Sequence, residues 1–257
     1  MRTIVLFLIL LGCGTSHITA QNDYLVTTIP NQEDPLSEEE QFIKENFPLQ
    51  LLCKWTPGMK FMFIPSGRDM FLPTLSVYET EKGADNSVLK HKILTFAGYE
   101  EKSQKLSNDM SYSTRLIFEC DGEKYYYEIK NTRPDEICEK NPRAYINGLV
   151  NLKDVDTAKD LLTGRKIYVQ SDMAQVDDAN SYSGYREVSI PVNTEATITA
   201  IGVGSQAYPV KIIFQDSQGH SYYLEVALSR TNSGMDVSDF QAEKKMRYFS
   251  NAISFSS

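Results

Sequence analysis

The sequence predicts a mainly β protein made of two similar small units in tandem, each preceded by a short helix, with a short helix near the C-terminus. Three ordered blocks predict this repeat: a Gly turn leading into an apolar run, a second apolar run ending in Gly, and a hairpin containing Tyr-Tyr-x-Glu. The paired blocks are 58–64 with 164–170, 92–98 with 196–202, and 116–129 with 212–226. Because insertions in loops cost little, the unequal spacing between the blocks is compatible with a duplication.

Residues 1–20 have the pattern of an export signal. Arg2 precedes an apolar run from Ile4 to Leu11, and small and polar residues follow, ending in Ile-Thr-Ala before Gln21. The apolar run is shorter than the roughly 20 residues that span a bilayer. Alternatively, Leu10-Leu-Gly-Cys13 resembles the lipobox of bacterial lipoproteins, with Cys13 as a lipid anchor. Both readings predict export to the periplasm or cell surface of a Gram-negative bacterium, without a membrane span.

The first unit is predicted over residues 37–132, after a polar leader at 21–36. Ser37 and Glu40 form a capping-box pattern that starts a helix, and Pro48 stops it. Asp121-Gly122 predicts a tight hairpin. In the strand that follows, alternation places Tyr125, Tyr127 and Ile129 inward, and Tyr126 and Glu128 outward or across a neighbouring strand.

A linker is predicted over 133–153, a second unit over 154–230 and a C-terminal tail over 231–257. Asp154 is the expected N-cap of the helix that precedes the second unit, and Gly164 its stop. The hairpin at 216–219 corresponds to the first one, so Tyr222, Leu224 and Val226 are expected to face inward, and Tyr223 and Glu225 outward or across a neighbouring strand. Residues 236–249 predict the C-terminal helix.

Each unit resembles the SH3-like small β-barrels of secreted bacterial proteins. The resemblance covers residues 54–131 and 160–228, and depends on the Gly turns at 58 and 164, the long loops 65–91 and 171–187, and the Tyr-Tyr hairpins. It implies domains that bind peptides or cell-wall fragments, or that hold other domains in place, and that are rarely catalytic. The chain lacks a segment like Ala-Leu-Tyr-Asp-Tyr, so the resemblance does not extend to proline-rich ligands.

Composition and charge limit the function classes. The hydrophobic fraction of 41% provides cores, which excludes wholesale disorder. With 26 Lys and Arg against 34 Asp and Glu, the formal charge is −8, and no basic cluster predicts a nucleic-acid partner. After signal removal Cys53, Cys120 and Cys138 remain, an odd number. They are expected to be buried thiols, or one pair is bridged, Cys120–Cys138 or Cys53–Cys138.

No residue set predicts catalysis, a cofactor or a metal. Beyond the signal the chain has only His91 and His220, without the spacing of a zinc site or an evident Cys/His pair. A Gly-x-Ser-x-Gly elbow and a phosphate-binding loop are also missing from the sequence. The acidic residues Asp154, Asp156 and Asp160 fit helix capping better than Ca²⁺ binding.

Aromatic residues near the predicted loops are the main functional lead. Aromatic side chains on loops can stack on sugars or grip an extended peptide. The candidates are Trp55, Phe71, Tyr78, Tyr182 and Tyr185. Trp55 has a second interpretation, in which it packs the end of the first barrel.

The sequence therefore predicts a non-catalytic exported envelope protein that binds an unknown peptide, glycan or protein partner. One alternative is a cell-wall peptide hydrolase with a Cys or Ser nucleophile between the repeats. Another is a structural subunit of an envelope assembly.

Overall fold

The computed structural model describes residues 35–48, 50–65, 72–106, 109–140, 146, 148–181, 183–204, 208–228 and 249–256. The predicted signal peptide at 1–20, with Cys13, and most of the polar leader lie outside the described residues. Most of the predicted C-terminal helix also lies outside them, although Phe249 and Ser250 have helical backbone.

The described chain is mainly β, with two antiparallel sheets, one of them curled into a half-barrel, and a few short helices. The first sheet contains β1 (Lys60–Phe63), β2 (Ser76–Val77), β3 (Ile93–Leu106), β4 (Asp109–Cys120), β5 (Glu123–Lys130) and β6 (Leu149–Asn151). The second contains β7 (Lys166–Val169), β8 (Met173–Asp177), β9 (Tyr185–Ser189), β10 (Thr194–Val203), β11 (Val210–Asp216), β12 (Ser221–Val226) and β13 (Ile253–Phe255). The α-helices are α1 (Glu38–Asn46), α2 (Asn86–Leu89), α3 (Ile137–Lys140) and α4 (Leu152–Leu162), and Leu52–Lys54 and Pro134–Glu136 are 3₁₀ turns.

The two sheets have the same strand order. The first reads β6-β1-β3-β4-β5-β2, and the second reads β13-β7-β10-β11-β12-β8, with β9 added at the end. Both Gly turns are held alike, because the Gly58 N–H donates to the Phe96 carbonyl at 2.8 Å and the Gly164 N–H donates to the Ile198 carbonyl at 2.8 Å. Strand order and turn bonding therefore support the internal duplication.

The strand registers correct one of the three block alignments. Phe118 pairs with Tyr125 and Phe214 with Tyr222, as the alignment of the hairpin blocks predicts. In the middle block, Lys60 pairs with Thr95 and Lys166 with Thr197, so Gly98 corresponds to residue 200 rather than to Gly202. A two-residue slip keeps every side chain on the same face, which is why the apolar pattern could not reveal it.

Helix α1 packs on the second sheet, although it precedes the first. Its predicted capping box is present, because Ser37 accepts from the Glu40 N–H and Glu40 accepts from the Ser37 N–H. Ile43 and Phe47 belong to the core of the second sheet. The Phe255 N–H donates to Glu39 Oε1 at 2.7 Å, which ties the helix to β13.

The C-terminal residues enter the fold, where the sequence predicted a tail. Strand β13 pairs with β7, opposite Ile167 and Val169. Phe249, Ile253 and Phe255 are buried in the second core. The apolar residues among the terminal serines decide this outcome, because their burial outweighs the polar character of their neighbours.

The predicted linker also contains regular structure. Strand β6 pairs with the edge of β1. Asn151, not the predicted Asp154, caps α4, and its side chain accepts from the Lys153 N–H at 3.0 Å. The cap lies earlier because the chain turns from strand to helix at Asn151, which leaves Asp154 buried in the first turn.

The Cys53–Cys138 bridge is present, which is one of the two pairings the sequence allowed. It joins the 3₁₀ turn before β1 to α3, and it leaves Cys120 as a buried free thiol. A structural disulfide is consistent with an oxidising compartment outside the cytoplasm. Among the helices that the structure describes, none is long and apolar enough to cross a bilayer.

Candidate functional site

Of the five predicted contact aromatics, two lie on the described surface. Trp55 is 2% exposed and its ring centroid lies 4.4 Å from that of Phe61, so it packs the first core and offers no face to a ligand. Tyr78 and Tyr185 are half-buried. Phe71 and Tyr182 lie outside the described residues.

Tyr78 belongs to a cluster on the outer face of the first sheet, which we call the first outer cluster: Tyr78, Glu81, Arg115 and Tyr126. The Arg115 guanidinium carbon lies 4.1 Å from the centroid of the Tyr126 ring and 5.9 Å from that of Tyr78. The two tyrosine rings meet edge to face, with centroids 6.4 Å apart. Arg115 is only 5% exposed, so its charge is held largely away from water.

Glu81 balances the charge of Arg115. Its Oε1 accepts from Arg115 Nη2 at 2.6 Å, and its two carboxylate oxygens accept from Lys102 Nζ at 2.9 and 3.0 Å. These hydrogen bonds, that from Arg115 first, lower the pKa of Glu81 to about 2. The Glu81 carboxylate therefore stays ionised well below the pH at which an ordinary glutamate is protonated.

Tyr78 is oriented by a second carboxylate. Its hydroxyl donates to Glu100 Oε2 at 2.8 Å, and this hydrogen bond, together with the Glu100 charge, raises the pKa of Tyr78. The hydroxyl is thus fixed as a donor, and the ring is held between Glu100 and Arg115.

The second sheet carries a matching group, the second outer cluster: Asp177, Tyr185, Lys211 and Tyr223. Lys211 Nζ lies 3.5 Å from the centroid of the Tyr223 ring and 3.3 Å from Asp177 Oδ1. Burial, followed by the Asp177 charge, raises the pKa of Tyr223 to about 12. Tyr185 lies opposite Asp177 in the β8–β9 pair, at the edge of this cluster.

The cation and the tyrosine that it covers occupy corresponding positions in the two clusters. Arg115 pairs across the strands with Glu128, and Lys211 pairs with Glu225. Tyr126 and Tyr223 lie on the outer face, as alternation predicts, but both are buried because a cation covers each ring. The sequence did not lead us to Arg115 or Lys211. A signal was available, because each directly precedes an aligned hairpin block, so a basic residue stands at this position in both units.

One surface feature breaks the repeat. The pairing of β10 with β11 ends at Val203 and Val210, which correspond to Glu101 and Thr114 of the first unit. Beyond that point β3 and β4 continue for five further pairs, from Lys102–Ser113 to Leu106–Asp109. Pro209 stands where the first unit has Ser113. Its carbonyl accepts from the Gly204 N–H at 3.0 Å, but without an N–H it cannot return a ladder hydrogen bond. We call residues 102–113 the hairpin extension.

A polar depression of about 310 Å³ lies at the base of the hairpin extension. Its lining residues are Lys102, Gln104, Ser111, Tyr112, Ser113, Glu128, Lys130 and Asn131. Inside it, Ser113 Oγ donates to Glu128 Oε1 at 2.6 Å. Through Lys102, which binds Glu81, the depression adjoins the first outer cluster.

The remaining thiol is poorly suited to nucleophilic chemistry. Cys120 is 5% exposed, and burial, followed by the Asp121 charge, raises its pKa. Cys138 is in the disulfide. Within the described part of the chain, no three His, Cys, Asp or Glu side chains come together as a metal-binding set.

Comparison with known proteins identifies no relative: no protein family, curated protein or solved structure matches the chain significantly.

Proposed function

We propose that the chain is a non-catalytic exported envelope protein made of two tandem SH3-like barrels, which binds a peptide, glycan or protein partner on its outer face. One observation carries the proposal. A tyrosine covered by a cation recurs at matching positions of the two outer faces, and on each face a carboxylate pairs with that cation.

Strand order supports the small-barrel architecture. In each unit a short first strand is followed by a long loop, three strands in succession and a closing strand that returns to the first. The long loops carry β2 and α2 in the first unit and the β8–β9 hairpin in the second. These additions lie at the positions where the resemblance places long loops.

Residue chemistry supports a role in binding. Tyrosine and arginine are the residue types that most often dominate interfaces, since they combine a large contact area with few rotamers to order. Each outer cluster is already fixed by its ion pair and ring stacking, so a partner need not order it. Tyr78 and Tyr185 keep part of their surface exposed.

The disulfide supports the exported location, and within it we propose the periplasm or the cell surface of a Gram-negative bacterium. Attachment through a lipid on Cys13 remains the alternative to a cleaved signal. The burial of Cys120 and its raised pKa disfavour the form of the hydrolase alternative that uses a Cys nucleophile.

Co-sedimentation with purified Gram-negative peptidoglycan sacculi, which present both glycan and peptide, combined with a random peptide array, tests the proposal. We expect saturable binding to one probe that falls at least tenfold in the double variant Tyr78→Ala, Tyr185→Ala. The matched control is Tyr168→Ala, a half-buried tyrosine on β7 that belongs to neither cluster.

Unchanged binding by the double variant, or absence of binding to both probes, would overturn the proposal. Light scattering on the same samples addresses the subunit alternative, which predicts a defined homo-oligomer or no affinity for either probe.

A further inference from the structure

The hairpin extension is present on the outer face of the first unit and has no counterpart among the described residues of the second. Residues that only maintain a duplicated fold should recur in both copies, whereas a site acquired by one copy should lie where the copies differ. The polar depression lies at this difference, because Lys102, Gln104, Ser111 and Ser113 all belong to the extension.

Strand register explains why the lining residues converge. Lys102 pairs with Ser113, Gln104 with Ser111, and Ser113 with Lys130, so these side chains lie on the same face of three adjacent strands. The backbone groups between these strands are already used in pairing. Where β4 is paired on both sides, from Ser113 onward, a ligand in the depression can be recognised only by side chains.

The lining combines hydrogen-bond donors with acceptors. Gln104 and Asn131 contribute amides, Ser111 and Ser113 hydroxyls, and Glu128 a carboxylate. Each amide or hydroxyl can both donate and accept. This mixture matches ligands whose own groups do both, as sugar hydroxyls do.

Charges in the depression nearly cancel. Lys102 and Lys130 bring two positive charges, but Lys102 Nζ contacts both oxygens of Glu81, and Glu128 lies within the lining. A compact anion such as phosphate needs several uncompensated donors. An apolar peptide side chain needs an apolar pocket, whereas the side chains that line the depression on this face are polar or charged.

Tyr112 marks the limit of the depression. It pairs with Ser103, so its side chain leaves the opposite face of β4 from Ser111 and Ser113, and there the Arg133 guanidinium carbon lies 3.9 Å from the centroid of its ring. The side chains that line the depression on the outer face are therefore polar or charged.

From this geometry we propose that the depression binds a neutral oligosaccharide. The inference rests on the proposed function, and it names the ligand class and the residues for one part of the outer face. Gln104 and Ser111 hydrogen-bond the sugar hydroxyls, and Glu128 accepts from a hydroxyl group.

Calorimetric titration of the full chain with the N-acetylglucosamine trimer and with maltotriose tests this inference, and inorganic phosphate serves as the anionic comparison. We expect saturable binding of at least one trisaccharide and none of phosphate. In the double variant Gln104→Ala, Ser111→Ala the affinity should fall about tenfold, the expected effect of losing two hydrogen bonds. Gln104 lies on β3 and Ser111 on β4. Neither side chain contributes to a core, so the variant should fold.

Gln218→Ala is the matched control, because Gln218, like Gln104, is an exposed glutamine of a hairpin, but in the second unit. The inference is overturned if neither trisaccharide binds at millimolar concentrations, if phosphate alone binds, or if the double variant binds as tightly as the wild type. If the Tyr78→Ala, Tyr185→Ala variant loses its partner while the Gln104→Ala, Ser111→Ala variant keeps it, the saccharide inference fails and the proposed function stands.

Discussion

Arg115 illustrates how a single charge is accommodated on an outer sheet face. It is nearly buried, it covers Tyr126, and Glu81 is its ion-pair partner at 2.6 Å. Its Nε is one of the few buried polar atoms without a hydrogen-bond partner among the described residues. A buried cation with an incomplete set of partners depends strongly on the one carboxylate that it has.

Glu81 should therefore make stability sensitive to acid. Its pKa is about 2 in the folded chain and its ordinary value is 4.5, so the unfolded chain binds a proton first as the pH falls. The stabilisation by Glu81 is complete above pH 4.5 and is lost between pH 4.5 and about 2. Urea midpoints measured from pH 2 to 6 should show the wild type and Glu81→Gln converging over this window.

Glu119→Gln is the control for this titration, because the Glu119 side chain has the same exposed fraction, 53%, and its nearest cation, Lys124 Nζ, lies 3.9 Å away. A constant difference between wild type and Glu81→Gln down to pH 2 would contradict the assignment of the ion pair.

At the residue scale, the sequence predicted which face of the sheet a side chain lies on, but not which side chains it contacts there. Alternation placed Tyr126 and Tyr223 on the outer face, which is where they lie. The cations that cover them could not be predicted, because a cross-strand partner depends on register, and a shift of two residues leaves the pattern of apolar residues unchanged. For the same reason the polar depression, whose residues come from three strands, has no signal in any one segment.

Among the elements, α1 and β13 depend on each other. Glu39 is 8% exposed and accepts the Phe255 N–H, and the Arg165 guanidinium carbon lies 3.2 Å from the centroid of the Phe255 ring. The helix and the last strand are thus joined although 216 positions separate them in the chain.

Removing this link should destabilise the chain measurably. Glu39→Ala leaves the buried N–H of Phe255 without its acceptor, which costs about 1–3 kcal/mol of the free energy of unfolding. Glu45→Ala, an exposed position of the same helix, should change it by less than about 0.5 kcal/mol. Equal effects of the two substitutions in chemical denaturation would show that the contact contributes little.

The disulfide is the second long-range link. It closes a segment with a sequence separation of 85, so its loss increases the freedom of the unfolded chain. Replacing both Cys53 and Cys138 by Ser should lower the free energy of unfolding by about 2–5 kcal/mol. In the wild type, a reducing agent should have a comparable effect in the same denaturation assay.

Cys120→Ala is the control for the disulfide, since it removes the remaining described thiol and leaves the bridge in place. If reduction affected the wild type and the double Ser variant equally, the bridge would not be the source of the stabilisation.

Local signals predicted the beginning of α1 but not its position in the fold. The capping box is a pattern of neighbouring residues, so the sequence was enough to predict it. Its apolar stripe indicates that one face is buried without indicating against what. Only the pairing of β13 with β7 creates the surface on which Ile43 and Phe47 pack, and that pairing involves residues at opposite ends of the chain.

At the level of the whole molecule, β6 connects the two cores. Leu149 belongs to the first core and its neighbour Val150 to the second, because successive side chains of a strand point in opposite directions. The strand pairs with β1 on one side and leads directly into α4. A disturbance in one core should therefore be transmitted to the other.

We expect the two units to unfold together. Trp55, the single tryptophan, lies in the first core, so its fluorescence reports on that core. Phe214→Leu, in the second core, should cost about 1 kcal/mol and lower the melting temperature seen by Trp55 fluorescence by about 2–4 °C.

Phe118→Leu, the corresponding change in the first core, is the matched comparison and should lower the same transition by a similar amount. A Trp55 transition that is unmoved by Phe214→Leu, together with a separate transition in circular dichroism, would mean that the units unfold independently.

The mainly β composition and the matching strands of the two sheets could be predicted because both depend on patterns that repeat along the chain. The sharing of elements between the two cores could not be predicted. Helix α1 precedes the first unit in sequence but packs in the second core, and β6 leads into the second unit but pairs with β1 of the first. Periodicity describes a face and carries no information about which of two similar cores will cover it.

The position of β6 also affects how the chain can associate with copies of itself. If β6 detached, the edge of β1 would be left with unpaired backbone groups, and the β6 of another molecule has the sequence to fill it. A concentrated sample that partly unfolds at this point therefore has a route to domain-swapped dimers in which each unit keeps its full set of strands.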